Sequence, residues 1–174
     1  MKLQNKYYIL RHGEAVSNIK NIVSSWPETF KNPLTKNGQW QIKNATKKLV
    51  TKHIDFIFAS DLLRTKQTAQ IVAKVLNFKV EFDKSSTTFK KVKVVLDKRL
   101  REVGFGSLNG KPAEELLYLS FEKERLNHSF QKGETYQDVL KRVYGFLKEI
   151  DKKYKGNPPS PKASTVAKAM VDKS

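Results

Sequence analysis

Apolar positions along the chain fall in two rhythms. Tyr7-Tyr8-Ile9-Leu10 is a short apolar run bounded by charge, and it predicts a strand buried on both faces, as in a parallel sheet. Asn32-Pro33-Leu34-Thr35 then announces a helix, with Thr35 placed as its N-cap. Ile42, Ala45 and Leu49 recur at helical spacing and predict a helix over roughly 36–51. Ile54–Ser60 reads as a second buried strand. Ala69, Val72, Ala73 and Leu76 form an amphipathic stripe and predict a helix over 62–77. Strand, loop, helix, strand, helix is the alternation of an α/β layer with a parallel sheet.

The second half is less regular. Val80–Phe82 and Val92–Leu96 are candidate strands, separated by the polar turn Asp83–Thr88. Pro112 with Glu114 and Glu115 opens a helix expected to run to about Leu126. Thr135 and Asp138 have the spacing of a capping box, and Val139, Val143, Phe146, Leu147 and Ile150 continue at helical spacing. Gly156-Asn157-Pro158-Pro159-Ser160-Pro161 stops that helix and reads as a linker. Lys162–Ser174 is small and polar with weak helical potential, and no apolar strand is expected after residue 128. The expected division is one domain over 1–156 and an atypical polar tail over 157–174.

At 174 residues the chain has room for one α/β domain, and its 39% hydrophobic and 29% charged residues are those of a globular protein. It contains no cysteine, which excludes disulfides, thiolate–metal sites and a cysteine nucleophile. No run approaches the about 18 apolar residues of a membrane helix, and Tyr7–Leu10 runs directly into Arg11-His12 without a signal-peptide core. The expectation is a soluble, cytoplasmic protein with no membrane association. Net charge is +17, yet only six of the 34 basic residues are arginine. The lysines are spread along the chain without a block, which weighs against nucleic-acid binding. The positive field would speed the arrival of an anionic substrate.

Both early strands end in reactive residues. Arg11-His12-Gly13-Glu14 and Asn18 follow the first, and Ser60-Asp61-Leu62-Leu63-Arg64-Thr65 follows the second. Ligands of open α/β sheets bind beyond the carboxyl ends of the strands, so the two clusters face one crevice. His12 is a candidate nucleophile there. Arg11 and Arg64 can each present a fork to phosphate oxygens, Asn18 adds a neutral donor, and Gly13 permits close backbone approach. The alternatives are a structural histidine and a helix-surface arginine. Arg64 falls in the first turn of its helix, where the macrodipole disfavours a cation, and a bound anion would account for it.

Five segments carry a resemblance. Arg11-His12-Gly13-Glu14 with Asn18, Pro33-Leu34-Thr35 with Gly38, Ser60 to Ala69 around Arg64, Leu100-Arg101-Glu102 with Phe105, Gly106 and Gly110, and Gly133-Glu134-Thr135 occur in the order of the histidine phosphatase (phosphoglycerate mutase-like) superfamily. They cover about residues 6–153. The resemblance implies a three-layer α/β/α fold with a mainly parallel central sheet. It implies a phosphomonoester hydrolase that needs neither metal nor cofactor and acts on a small phosphorylated metabolite. His12 would become a phosphohistidine, Arg11, Asn18 and Arg64 would hold phosphate oxygens, and Glu102 would protonate the leaving alcohol. Taken by itself, Glu102 reads equally as a surface carboxylate paired with Arg99 or Arg101. A phosphoglycerate mutase shares the same crevice, and the shortness of the chain leans toward the hydrolase. A phospho-ligand binder without turnover is a third reading.

One feature departs from the pattern. The resemblance calls for a second histidine after one more strand, and no histidine follows His128. His53 precedes the second strand, on the wrong side of the sheet, and His128 lies in a helix-to-loop stretch; a solvated or capping role is expected for both. Loss of the second histidine is expected to impair turnover, and loss of its strand to leave the fold C-terminally incomplete. The change of composition after Gly156 is that expected of a truncated or frame-shifted form. Specificity is expected to reside in the loops 20–32 and 112–132. Oligomeric state is not legible.

Overall fold

Four short parallel strands form the sheet of the computed structural model, which describes residues 2–52, 54–76, 93–119, 126–155 and 166–169. Strand β1 is Tyr7–Leu10, β2 is Phe56–Ala59, β3 is Lys93–Leu96 and β4 is Val166–Ala169, in the spatial order β1-β4-β2-β3. The helices are α1 (Val16–Lys20), α2 (Lys36–Lys47), α3 (Leu63–Val75) and α4 (Tyr136–Lys153).

Alternation along β2 explains the layers. Ile57 and Ala59 point to one face, where they pack with Ile42 of α2 and with Ala69, Val72 and Ala73 of α3. Phe58 points to the other face and packs with Leu100 and with Phe146 and Ile150 of α4. Helices therefore cover both sides of the sheet, as expected of the α/β/α class. Strand β1 departs from the expectation of burial on both faces. It lies at one edge of the described sheet, and Ile9 is 70% exposed.

The capping signals are realised. Thr35 Oγ1 accepts from Gly38 N at 2.9 Å at the start of α2. Thr135 and Asp138 exchange both bonds of a capping box at the start of α4. Helix α2 begins as predicted and α3 one residue later than predicted; they end four and two residues early. The helix expected from Pro112 is a 3-10 segment, Ala113–Leu119. Its continuation to Leu126 crosses residues 120–125, which lie outside the described ones, as does the candidate strand Val80–Phe82. Helix α1 was not foreseen. Its signal is local: Asn18 Oδ1 accepts from Ala15 N at 2.8 Å, one half of a capping box, since the Ala15 methyl has no acceptor to complete it.

The central strand corrects the reading of the C-terminal segment. Val166–Ala169, expected to be polar with weak helical potential and no strand, lies between β1 and β2 and pairs parallel with both. Val-Ala-Lys-Ala carries little β-propensity. Backbone pairing needs no particular side chain, and the facing edges of β1 and β2 override a weak local preference. The register sets Leu10 opposite Ala169, so the carboxyl end of β4 is level with that of β1.

Candidate active site

Strand β1 delivers His12 to the carboxyl edge of the sheet, where it is 8% exposed. Its Nδ1 lies 2.7 Å from the carbonyl of Gly13 and its Nε2 is 3.1 Å from Nε of Arg64. A carbonyl only accepts and a guanidinium only donates. The ring is therefore neutral, with the proton on Nδ1 and the lone pair on Nε2. That tautomer directs the Nε2 lone pair toward Arg64.

Arg64 comes from the first turn of α3 and is 2% exposed. Besides His12 it meets Ser24 twice, Nη1 donating to Oγ and Nη2 to the carbonyl, each at 3.2 Å. The helix N-terminus that disfavours this cation is offset by a carboxylate. Leu63 N donates to both oxygens of Glu28, at 3.1 and 3.2 Å.

A buried amide organises the opposite side. Asn32, fully buried, accepts from Ser17 N at 2.8 Å and donates to Ser17 Oγ and Ser24 Oγ. These bonds fix α1 and the loop after it. Asn18 turns its oxygen to Ala15 N at 2.8 Å, which leaves its amide N–H groups for a ligand.

The third wall is the turn 99–105. Arg101 pairs with Asp61 and lies 3.5 Å over the Trp26 ring, while Arg99 pairs with Asp97 and Glu149. The Arg101 bonds hold the Asp61 carboxyl below the usual range. Both guanidinium groups weighed as surface partners of Glu102 thus have other carboxylates. Glu102 is half-buried, and its Oε1 accepts from Val103 N at 2.9 Å.

Arg11, His12, Asn18, Arg64 and Glu102 line one cleft of about 180 Å³. Five sequence-predicted residues are thereby brought together. Gly13 is not among the lining residues. A Cβ there would meet Gly38 O at 2.2 Å, so the close approach it permits is to the start of α2. His128 packs edge-on against Phe130, with ring centroids 5.0 Å apart, and does not line the cleft. His53 lies outside the described residues. The two loops expected to set specificity do reach the cleft, through Asn21–Ser24 and through Ala113 and Leu116. Backbone bonds between Val23 and Lys111 and between Ala113 and Asn21 tie them together. Sequence reasoning missed Ser24, which belongs to no motif, and it read Asn32 only as part of a helix start. Among the described residues no group of three His, Cys, Asp or Glu side chains is spaced to hold a metal ion, and no helix is long and apolar enough to cross a membrane.

Layers, strand direction and a histidine at the strand tip define an α/β fold of the phosphoglycerate mutase-like kind. Residues 7–159 match the model of the histidine phosphatase superfamily (branch 1), and the chain belongs to that family. Phosphoserine phosphatase 1 of Hydrogenobacter thermophilus is 27% identical over 155 residues, covering 86% of this chain and 65% of the relative. A probable phosphoglycerate mutase of Yersinia enterocolitica, GpmB, is 33% identical over 109 residues, covering 63% of this chain and 43% of the relative. The chain thus spans less than two thirds of the length of these relatives. The solved structure of Bacillus stearothermophilus YhfR matches with a TM-score of 0.71 at 23% identity, covering 95% of this chain and 73% of that one.

Proposed function

We propose that the protein hydrolyses phosphomonoesters through a phosphohistidine on His12. The observation that carries the reading is the Nε2 lone pair of His12, held in a cleft beside the Arg64 guanidinium. A phosphate ester entering the cleft meets donors from Arg11, Arg64 and the Asn18 amide, which neutralise charge on the phosphoryl oxygens. Nε2 attacks phosphorus as the bond to the ester oxygen breaks. Arg64 Nε then exchanges Nε2 for an oxygen on the phosphorus it faces. Gly13 contributes through its carbonyl, which keeps the Nδ1 proton and stabilises the ring as it gains charge. Glu102 enters protonated and gives its proton to the departing alkoxide. As a carboxylate it then takes a proton from the water that attacks the phosphohistidine, and phosphate departs with the lone pair restored.

The substrate in this reading is a small phosphorylated metabolite, acted on in the cytoplasm. The name of the Hydrogenobacter relative, a phosphoserine phosphatase, supports that class.

The 33% identity to a probable phosphoglycerate mutase favours a second reading, transfer to another hydroxyl instead of water. Both are tested by a panel of phosphomonoesters, with and without a bisphosphoglycerate primer, on the protein and on His12→Ala. Phosphate release that His12→Ala abolishes, with an acid-labile phosphate on His12 after rapid quench, is the expected result. Primer-dependent isomerisation without release would favour the mutase. Equal activity in the two proteins would end the enzymatic reading.

A further inference from the structure

We propose that Arg142 is a positioning residue for Glu102, setting the carboxyl at the distance from which it serves the leaving group. The inference rests on the acid–base role assigned to Glu102 above. Arg142 belongs to α4 and is not among the residues lining the cleft. All five of its N–H groups are nevertheless spent around the turn that carries Glu102. Nη1 donates to the carbonyls of Arg99 at 2.7 Å and Arg101 at 2.8 Å. Nη2 donates to the carbonyl of Glu102 at 3.0 Å and to Glu134 Oε2 at 2.9 Å. Nε donates to Glu134 Oε1 at 3.0 Å. Glu134 closes the clamp, since its Oε2 accepts from Gly104 N at 2.9 Å and its N–H donates to Gly104 O at 2.7 Å.

An Arg–carboxylate pair that still reaches solvent is by itself worth little. Here the guanidinium plane is shared between that pair and three main-chain carbonyls, and its rigid fork dictates their mutual geometry. The Glu102 carboxyl is tethered to this turn, because its Oε1 accepts from the adjacent Val103 N at 2.9 Å. Its place in the cleft is thereby inherited from the backbone that Arg142 holds. A lysine would bring charge to the same spot without the fork, and could not span carbonyls on one side and a carboxylate on the other.

The test separates positioning of an acid from general support of the fold. Single-turnover alcohol release is measured on glycerol phosphate, whose alkoxide must be protonated, and on p-nitrophenyl phosphate, whose leaving group needs little help. Arg142→Lys should slow the first about 30-fold or more and the second less than about threefold, with KM unchanged. Glu134→Gln should show the same asymmetry more weakly, and it carries the test if Arg142→Lys fails to fold. Glu102→Gln should show it most strongly. Equal losses on both substrates in Arg142→Lys and Glu134→Gln, with asymmetry retained in Glu102→Gln, would overturn the positioning role alone. Equal losses in Glu102→Gln would overturn the acid assignment beneath it, as would absence of turnover in the unmodified protein.

Discussion

Arg64 grips Ser24 at two atoms, its Nη1 donating to the hydroxyl oxygen and its Nη2 to the carbonyl, while its Nε reaches His12. One planar side chain therefore fixes the distance between the His12 ring and the loop after α1. Lysine has one nitrogen at the end of a flexible stem and cannot occupy three directions in one plane. Arg64→Lys is expected to lower kcat/KM by about a hundredfold or more, close to the loss of a transition-state donor. The check is steady-state kinetics beside the melting temperature. Retention of most activity would mean that charge alone suffices.

Asn32 stands behind that grip. Its amide donates to Ser24 Oγ at 2.9 Å and to Ser17 Oγ at 2.8 Å, and its oxygen receives Ser17 N. Asn32→Ala strands a buried backbone N–H, and a loss of about 2 kcal/mol of stability is expected. Asn32→Asp keeps the acceptor and removes both donors, so the Ser17 and Ser24 hydroxyls must turn to donate to the new carboxylate. Urea unfolding of the two variants should show both destabilised. The Asp variant should also raise KM for any phosphate ester, because it sets a carboxylate behind Ser24. A KM unchanged in Asn32→Asp would separate Asn32 from the site.

Much of this architecture was legible because the signals are local. Thr35 and Thr135 announce helix starts through bonds made within one turn, and β2 carries its apolar residues as a continuous run. The cleft was legible because His12 and Arg64 each follow a strand, and parallel strands deliver their carboxyl ends to one edge. What escaped depends on long-range partners. Arg142 looks like any helical cation until the turn 99–104 is folded against it, and Asn32 looks like a turn residue until Ser24 returns to it. Val166–Ala169 carries too few β-branched residues to be read as a strand, and is one only because β1 and β2 flank it.

Gly13 and Gly38 face each other where the segment after β1 packs against the start of α2. A Cβ on Gly38 would lie 2.0 Å from Glu14 O, and one on Gly13 would lie 2.2 Å from Gly38 O. Glu14 fastens the same junction, accepting from Thr35 Oγ1 at 2.6 Å and from Asn37 Nδ2 at 3.2 Å. Because the clashing atoms are backbone, relief requires the segment after His12 to move away from α2. Gly38→Ala is expected to cost about 3 kcal/mol and to depress activity in the fraction that remains folded, since Gly13 O holds the His12 ring. Chemical denaturation and kinetics on the folded fraction report the two effects separately. A variant as stable as the parent would show that the junction is looser than its backbone contacts indicate.

The far end of α4 predicts how stability depends on pH. Asp151 is buried there and accepts from Gln4 N, from Asn5 N and Nδ2, and from the Tyr7 hydroxyl at 2.7 Å. Burial alone would raise this carboxyl. The Tyr7 hydroxyl and the N–H groups of Gln4 and Asn5 outweigh it and hold it below the usual range. Burial and the bond to Asp151 push Tyr7 the other way, above the ordinary phenol. A lowered carboxyl contributes stability present above its unfolded value of about 3.9 and lost as pH falls through the folded value. A raised phenol contributes stability present below its unfolded value of about 10 and lost as pH climbs toward the folded one. The contribution of this pair should therefore be flat between these limits and fall on both sides. Asp151→Asn should reduce the acid slope without removing it, because Asp61 and Asp97 are also held low by Arg101 and Arg99. Tyr7→Phe should remove most of the alkaline slope and part of the acid one. Urea unfolding across the pH range measures both slopes. An Asp151→Asn protein whose acid limb runs parallel to that of the parent would show that this carboxylate does not couple the N-terminal segment to α4.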